Sequence, residues 1–361
     1  MPCIFFEDVV FRRLTNGMAS PPFRVFSRAT TSRRIRWSCQ LPFVPVRASG
    51  CDIFTDDGRR ILDLYGGHAV AALGYGHPKQ LKAVTEQCNK LIFQSNVVAL
   101  EIRAQAAEKL TRVAPKGLDR VFFVNSGAEA NENALRMACM ATGRKKVLAI
   151  THGFHGRTAA AAAVTWNADR WYGFPNKPFE VDFIPRDDIA AAEAMIGDDI
   201  AAVIFEPVQG VAGGYDLSTD FLHSLRDLTS ANGALLIADE VQSGIGRCGQ
   251  FFAVDVHQIE PDILTSAKSL GGGIPCGAVL CTHSIAVRFG TGDLGTTFGG
   301  GPLAAAAIVA TIDAISDENL LSNVRRSETA IREKCVVGPV TRIQGMGLLL
   351  GLVCDRPAVE V

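Results

Sequence analysis

The sequence predicts an α/β protein: a mostly parallel central sheet flanked by helices, joined to a smaller domain. Three observations lead there. Strand-like segments are continuous apolar runs rather than alternating ones, as expected of strands buried on both faces. Helix-like segments lie between many of them, and parallel strands need such crossovers. The chain has 361 residues, 48% of them hydrophobic, which is enough for a large core and for more than one structural unit.

The elements follow in order. "CDIFTDDGRRILDLYGG" from position 51 reads as a hairpin, two short runs joined by a D-D-G turn. "HPKQLKAVTEQCNKLIF" has helical spacing and starts just after Pro78. "RVFFVNS" is a strand, and "GAEANENALRMACMATG" is a helix with Gly143 as its C-cap. "KKVLAIT" and "AAVIFEP" are strands, the second stopped by Pro207. "STDFLHSLRDLTSANG" is a capped helix ending on Gly233, "ALLIADEV", "DILTSA" and "GAVLC" are strands, and "PLAAAAIVATIDAI" is a long helix. Helices crossing over right-handedly put a ligand at the carboxyl ends of the strands.

Composition excludes several classes. Net charge is -1 and charged residues make up 20%, so no basic excess exists to bind nucleic acid. No uninterrupted apolar run is long enough to span a membrane. Ten cysteines are scattered without a C-x-x-C pair, as in a reducing compartment, and the cytoplasm is the expected location. The first 50 residues differ from the rest. "FRVFSRATTSRRIRWS" is rich in Arg and Ser and has no acid, which reads either as a mitochondrial presequence or as a solvated basic arm.

Several strands finish in a polar group: Asn125-Ser126, Glu206, Asp239-Glu240 and Lys268. In a parallel sheet these converge on one rim. Lys268 is the one charged side chain between Ser266 and Leu280, and three glycines follow within five residues. A buried ammonium without a partner is costly, and a chain tolerates one when it is covalently occupied or has a lowered pKa. The alternative is a lysine snorkelling at a strand end. Asp239 is either a structural acid bonded to loop amides or a carboxylate facing a protonated ring nitrogen. Ser126-Gly127-Ala128-Glu129 is a capping box, read either as an ordinary helix start or as an anion site. In "THGFHGRT", Phe154 can stack on an aromatic ligand and Arg157 can fork onto a carboxylate. His152 and His155 lack a third metal ligand. Gly244-Ile-Gly246-Arg-Cys-Gly249 fits G-x-G-x-x-G literally, but no helix opens inside it, so it is not a dinucleotide site.

Taken together, "NSGAEANE", "GFHGRT", "EPVQG", "LLIADEVQSGIGRCG", "PDILTSAKSLGGGIPCGAV" and "GTTFGGGPLAAAA" resemble the class III aminotransferases, pyridoxal-phosphate enzymes of fold type I. Within that class, "GFHGRT" and "SNVV" resemble acetylornithine aminotransferases most closely. The resemblance implies that Lys268 carries pyridoxal 5'-phosphate as a Schiff base and that Asp239 bonds its ring nitrogen. It implies that Ser126, Gly127 and Ala128 hold the phosphate. Phe154 would stack on one ring face and Val241 on the other, with Gln242 near the ring hydroxyl. Thr297 resembles a threonine that reaches the cofactor phosphate of a neighbouring subunit, which implies a homodimer with shared sites. Arg157 would grip the substrate α-carboxylate, and Glu206 would help select between two half-reactions. The implied reaction is ping-pong transfer from N2-acetyl-L-ornithine to 2-oxoglutarate. Its alternatives are succinylornithine, ornithine or 4-aminobutyrate as donor, or an inactive paralogue that binds the cofactor.

The implied organisation is a basic arm over 1–40, an N-terminal segment with the hairpin over 41–75, a large cofactor-binding domain over 76–300, and a linking helix with the start of a small domain over 301–361. Two departures stand out. Gly301 replaces the usual Asn of "GGNP". The family also continues past "GMGLLLGL" with a section that includes a carboxylate-gripping arginine, and the expectation is that "CDRPAVEV" does not replace it.

Overall fold

A computed structural model describes residues 41 and 43–357. The Arg- and Ser-rich arm over 1–40 therefore lies outside the described residues. The described residues open with a three-stranded antiparallel sheet, β1 (Pro45–Ser49), β2 (Asp52–Thr55) and β3 (Arg60–Leu62). The expected hairpin is its second half, with Gly58 in the left-handed region at φ 83°. β1 is an addition that the sequence reading did not include. Helices α1 (Pro78–Lys90) and α2 (Glu101–Val113) follow.

Seven strands then build the central sheet: β4 (Leu118–Val124), β5 (Lys146–Ile150), β6 (Glu180–Ile184), β7 (Ile200–Phe205), β8 (Leu235–Asp239), β9 (Ile263–Ser266) and β10 (Gly277–Thr282). Their spatial order is β4-β10-β9-β8-β7-β5-β6. β6, β5, β7, β8 and β9 pair in parallel, while β10 runs antiparallel to both β9 and β4. The sheet is thus mostly parallel, as expected, with one reversed strand. Only residues 267–276 separate β9 from β10, fewer than the dozen or so a parallel crossover needs.

The two-residue period of each strand feeds two separate cores. Leu148, Ile150, Leu236, Ala238 and Leu264 face one side, while Val147, Ala149, Ile237 and Ile263 face the other. The second side is covered by α3 (Gly127–Thr142), whose Ala130, Ala134, Leu135 and Ala138 are buried against the sheet. The first side is covered by α4 (Thr219–Asn232) and the alanine-rich α5 (Pro302–Asp317). α5 also packs on α1, on α2 and on the turn that follows β9. After α6 (Leu320–Lys334), a hairpin of β11 (Val340–Met346) and β12 (Leu349–Cys354) docks on the main body, where the Gly345 amide donates to Asp216 at 2.8 Å. No helix among the described residues is long and apolar enough to cross a membrane, and the eight described cysteines are all free.

Candidate active site

The polar strand ends do converge. A cavity of about 490 Å³ opens at the carboxyl ends of the parallel strands, lined by Lys268, Asp239, Glu206 and Ser126 among others. Each arrives from a different connection: Ser126 after β4, Glu206 after β7, Asp239 at the end of β8 and Lys268 after β9.

Asp239 continues the β8 face that carries Ile237, so its carboxylate points toward α3. There it is held by three close donors, with the Thr265 hydroxyl a fourth at 3.5 Å from Oδ1. Asn131 Nδ2 and His155 Nδ1 each lie 2.7 Å from Oδ2, and the Val241 amide lies 3.0 Å from Oδ1. Asn131 is itself fixed by the Thr265 hydroxyl, which donates to Oδ1 at 2.7 Å, while its Nδ2 also reaches the His155 carbonyl at 2.8 Å. Burial disfavours charge on His155, but the hydrogen bond and the attraction of Asp239 and Glu206 outweigh it, so the imidazole pKa is raised. His155 Nδ1 is engaged by Asp239, and among the described residues no cluster of three or more His, Cys, Asp and Glu could hold a metal ion.

Glu240 is the expected polar residue that turns away. One step along the strand puts it on the opposite face, fully buried, where it accepts from Ser243 Oγ and from the Val254 amide at 2.8 Å. It does not line the cavity, and burial pushes its pKa up to about 7. Glu206 does line the cavity. It accepts from the Phe154 amide at 2.8 Å, which ties the "GFHGRT" loop to the end of β7, and burial raises its pKa to about 7.

Lys268 follows Ala267 in a tight turn and adopts φ 48°, a left-handed conformation unusual for a side chain with a Cβ. Among the described residues its ammonium makes no hydrogen bond and no ion pair. Burial pulls its pKa below the ordinary lysine range, against the attraction of Asp239 and Glu206.

The helix start is a modified capping box. Ser126 Oγ accepts from the Glu129 amide at 3.1 Å, as expected, but Glu129 reaches back to Asn125, accepting from its amide at 2.7 Å and from its side chain at 2.9 Å. The Gly127 and Ala128 amides, first in α3, have no intrahelical acceptor and lie at the cavity wall. Gly127 has a packing reason as well: a Cβ there would sit 2.6 Å from Val241 Cγ1.

Phe154, Val241, Gln242 and Arg157 also line the cavity. Gln242 lies over the Gly210 backbone, where a Cβ would stand 2.3 Å from its Oε1. Arg157 is exposed at the mouth, its guanidinium 5.1 Å from the Trp171 ring centroid. Thr297 alone among the expected site residues does not line the cavity. It lies on an exposed loop beside Phe298. The residues that sequence reasoning missed are Asn131 and Thr265. The G-x-G-x-x-G segment binds no strand-to-helix turn; Gly246 packs near Leu321 and Ile315, and Gly249 near Arg325.

The aminotransferase class-III family model matches residues 35–360. The acetylornithine aminotransferase of Methanopyrus kandleri is 42% identical over 315 residues, covering 87% of this chain and 81% of that protein. The N-acetylornithine aminotransferase structure from Stenotrophomonas maltophilia superposes with a TM-score of 0.75 at 31% identity, over 88% of this chain and 82% of that one. The ornithine aminotransferase of Toxoplasma gondii superposes with a TM-score of 0.82 at 28% identity, over 88% of this chain and 78% of that one.

Proposed function

The chain belongs to the class-III aminotransferases, pyridoxal-phosphate-dependent enzymes, and on that premise we propose that it transfers the side-chain amino group of N2-acetyl-L-ornithine to 2-oxoglutarate. The products are N-acetyl-L-glutamate 5-semialdehyde and L-glutamate. The observation that carries the reading is the pairing, in one cavity, of a lysine without a partner among the described residues and a carboxylate fixed by Asn131, His155 and the Val241 amide.

The cavity residues fit pyridoxal 5'-phosphate. Lys268 offers an amine with no hydrogen-bond or ion-pair partner among the described residues, Asp239 brings its carboxylate to the same cavity, and the first amides of α3 offer donors to an anion. Lys268 would hold the cofactor covalently and Asp239 would meet its ring nitrogen. Ser126, Gly127 and Ala128 would take the phosphate, Phe154 and Val241 the two ring faces, and Gln242 the ring hydroxyl. When bound, the cofactor supplies an electron sink for the carbon that loses its proton.

The chain's own residues do the rest. Lys268 Nζ, kept in its neutral form more readily by burial, takes the proton from the carbon bearing the reacting nitrogen and returns it. Asn131, His155 and the Val241 amide keep the Asp239 carboxylate in one orientation. Arg157 at the mouth grips the donor's α-carboxylate. Glu206, which accepts from the Phe154 amide, would help to select between the two half-reactions.

We propose a homodimer with shared sites. Thr297 stands outside its own cavity, next to Phe298 at 64% exposure, and Leu64 and Val97 are about nine-tenths exposed at 89% and 90%. Such apolar exposure suits cover by a second copy. The division into 41–75, 76–300 and 301–361 is proposed with it, α5 linking the last part to the body. The free buried thiols support a reducing, cytoplasmic setting.

The test is the visible spectrum of the purified chain with added pyridoxal 5'-phosphate, before and after N2-acetylornithine and N-succinylornithine. A lysine-bound band that bleaches preferentially with the acetyl donor supports the proposal. A band that ignores every ornithine derivative refutes the substrate. Lys268→Ala is expected to abolish turnover, and turnover near that of the parent chain would end the mechanism.

A further inference from the structure

We infer that Gln80 and Ser269 are positioning residues for Lys268, tying down both ends of the turn that aims its amine into the cavity. The inference rests on the reading of Lys268 as the attachment point. The turn needs such ties. Lys268 sits at φ 48°, Gly272 at 54° and Gly273 at 115°, and the glycines give the segment many alternative paths.

Gln80 comes from α1, remote in sequence, and is buried. Its Nε2 donates to the Gly271 carbonyl at 2.9 Å and to the Gly272 carbonyl at 2.8 Å. Gly272 is required for that grip, since a Cβ there would lie 2.2 Å from Gln80 Nε2. At the other end, the buried Ser269 hydroxyl donates to the Ala69 carbonyl at 2.8 Å. Ala69 closes a run of four positive-φ residues from Gly66, and the next residue, Val70, lines the cavity. α5 packs on both α1 and the turn, so the clamp is braced from behind. Neither residue carries charge, and neither lines the cavity; they act through the backbone alone.

The clamp keeps Lys268 in the desolvated position that lowers its pKa. Loosening it hydrates the amine and returns it toward ordinary lysine behaviour. Only the neutral amine attacks the added aldehyde, so the rate of attachment reads the clamp directly.

The experiment uses the full chain purified free of cofactor. The rise of the visible band after adding pyridoxal 5'-phosphate is followed across pH in the parent, in Gln80→Met and in Ser269→Ala, with thermal unfolding as the control for fold. Gln80→Met keeps the volume and loses both donors. Attachment at neutral pH is expected to slow about tenfold in Gln80→Met, with the midpoint of the pH profile moved upward. Ser269→Ala shifts it in the same direction. In steady state, kcat falls while KM for the donor holds. Profiles in both variants that superimpose on the parent's overturn the clamp. Absence of the band from the parent itself overturns the attachment reading, and the clamp with it.

Discussion

Replacing Asn131 by Ala is the sharpest probe of the network behind Asp239. Asn131 is 1% exposed and makes three hydrogen bonds: to Asp239 Oδ2 at 2.7 Å, to the His155 carbonyl at 2.8 Å, and from the Thr265 hydroxyl at 2.7 Å. The bond to the carboxylate is worth about 2 kcal/mol and the two neutral ones about 1 kcal/mol each, giving a loss of about 4 kcal/mol. With an unfolding entropy of about 2 cal/mol/K per residue, that lowers the melting temperature by about 5 °C. Thr265→Val removes one bond of the three and is expected to cost about 1–2 kcal/mol. Thermal unfolding of the cofactor-free chain measures both, and titration with pyridoxal 5'-phosphate measures the second effect. With Asn131 gone, the Asp239 carboxylate keeps His155 and the Val241 amide but can rotate, so cofactor affinity is expected to fall about tenfold, or about 1.4 kcal/mol. An Asn131→Ala chain within about 1 kcal/mol of the parent would refute the reasoning, as would a Thr265→Val chain that loses as much.

Other outcomes follow from the same geometry. Glu240 has a folded pKa raised by burial to about 7, above its unfolded value, so the folded state holds the extra proton and stability falls as pH rises from about 4.5 to about 7. Glu240→Gln should remove about 3 kcal/mol of that decline, and denaturant unfolding at several pH values that shows an unchanged slope would count against it. Gly127→Ala drives a methyl to 2.6 Å from Val241 Cγ1, so Val241 must move into the cavity; cofactor affinity is expected to drop about tenfold or more while the fold survives, measured by the same titration. Arg157→Ala should raise KM for N2-acetylornithine about a hundredfold while leaving the lysine-bound band intact; an unchanged KM assigns the carboxylate to another residue.

Much of this site was legible because parallel strands advertise themselves. A buried apolar run that ends abruptly in Glu206, Asp239 or Lys268 marks the rim of a sheet, and all three reach the cavity. The apolar run of β10 does not reveal its direction, because a strand buried on both faces reads the same whichever way it points; the signal lies in the connection after β9, too short for a parallel crossover. The separation of Asp239 from Glu240 depends on the pleat, and two adjacent acids do not reveal which one faces the ligand. Asn131 carried a signal that was overlooked. It shares a helix face with Ala134, Leu135 and Ala138, and an amide on an apolar face requires partners. Local spacing offers His155 only a weak metal reading, whereas its partner, Asp239, comes from a strand eighty-odd positions away in sequence. The Glu129 carboxylate bonding Asn125 rather than the cap residue is a one-position shift, and local spacing cannot specify it.

The reversed strand has a consequence for when the protein becomes able to work. β4 sits at the edge of the sheet and pairs with β10 alone. Within the sheet, the Ser126 end of the cavity is therefore registered against the Lys268 end through residues 277–282, which lie far downstream, while Asn131 of α3 ties it to Asp239 and Thr265. A chain emerging from the ribosome can form α3 and its cap early, but β4 has no partner in the sheet until that last strand is threaded between β4 and β9. Cofactor capture is thus a late event in folding, and a coloured molecule is one whose sheet has been completed.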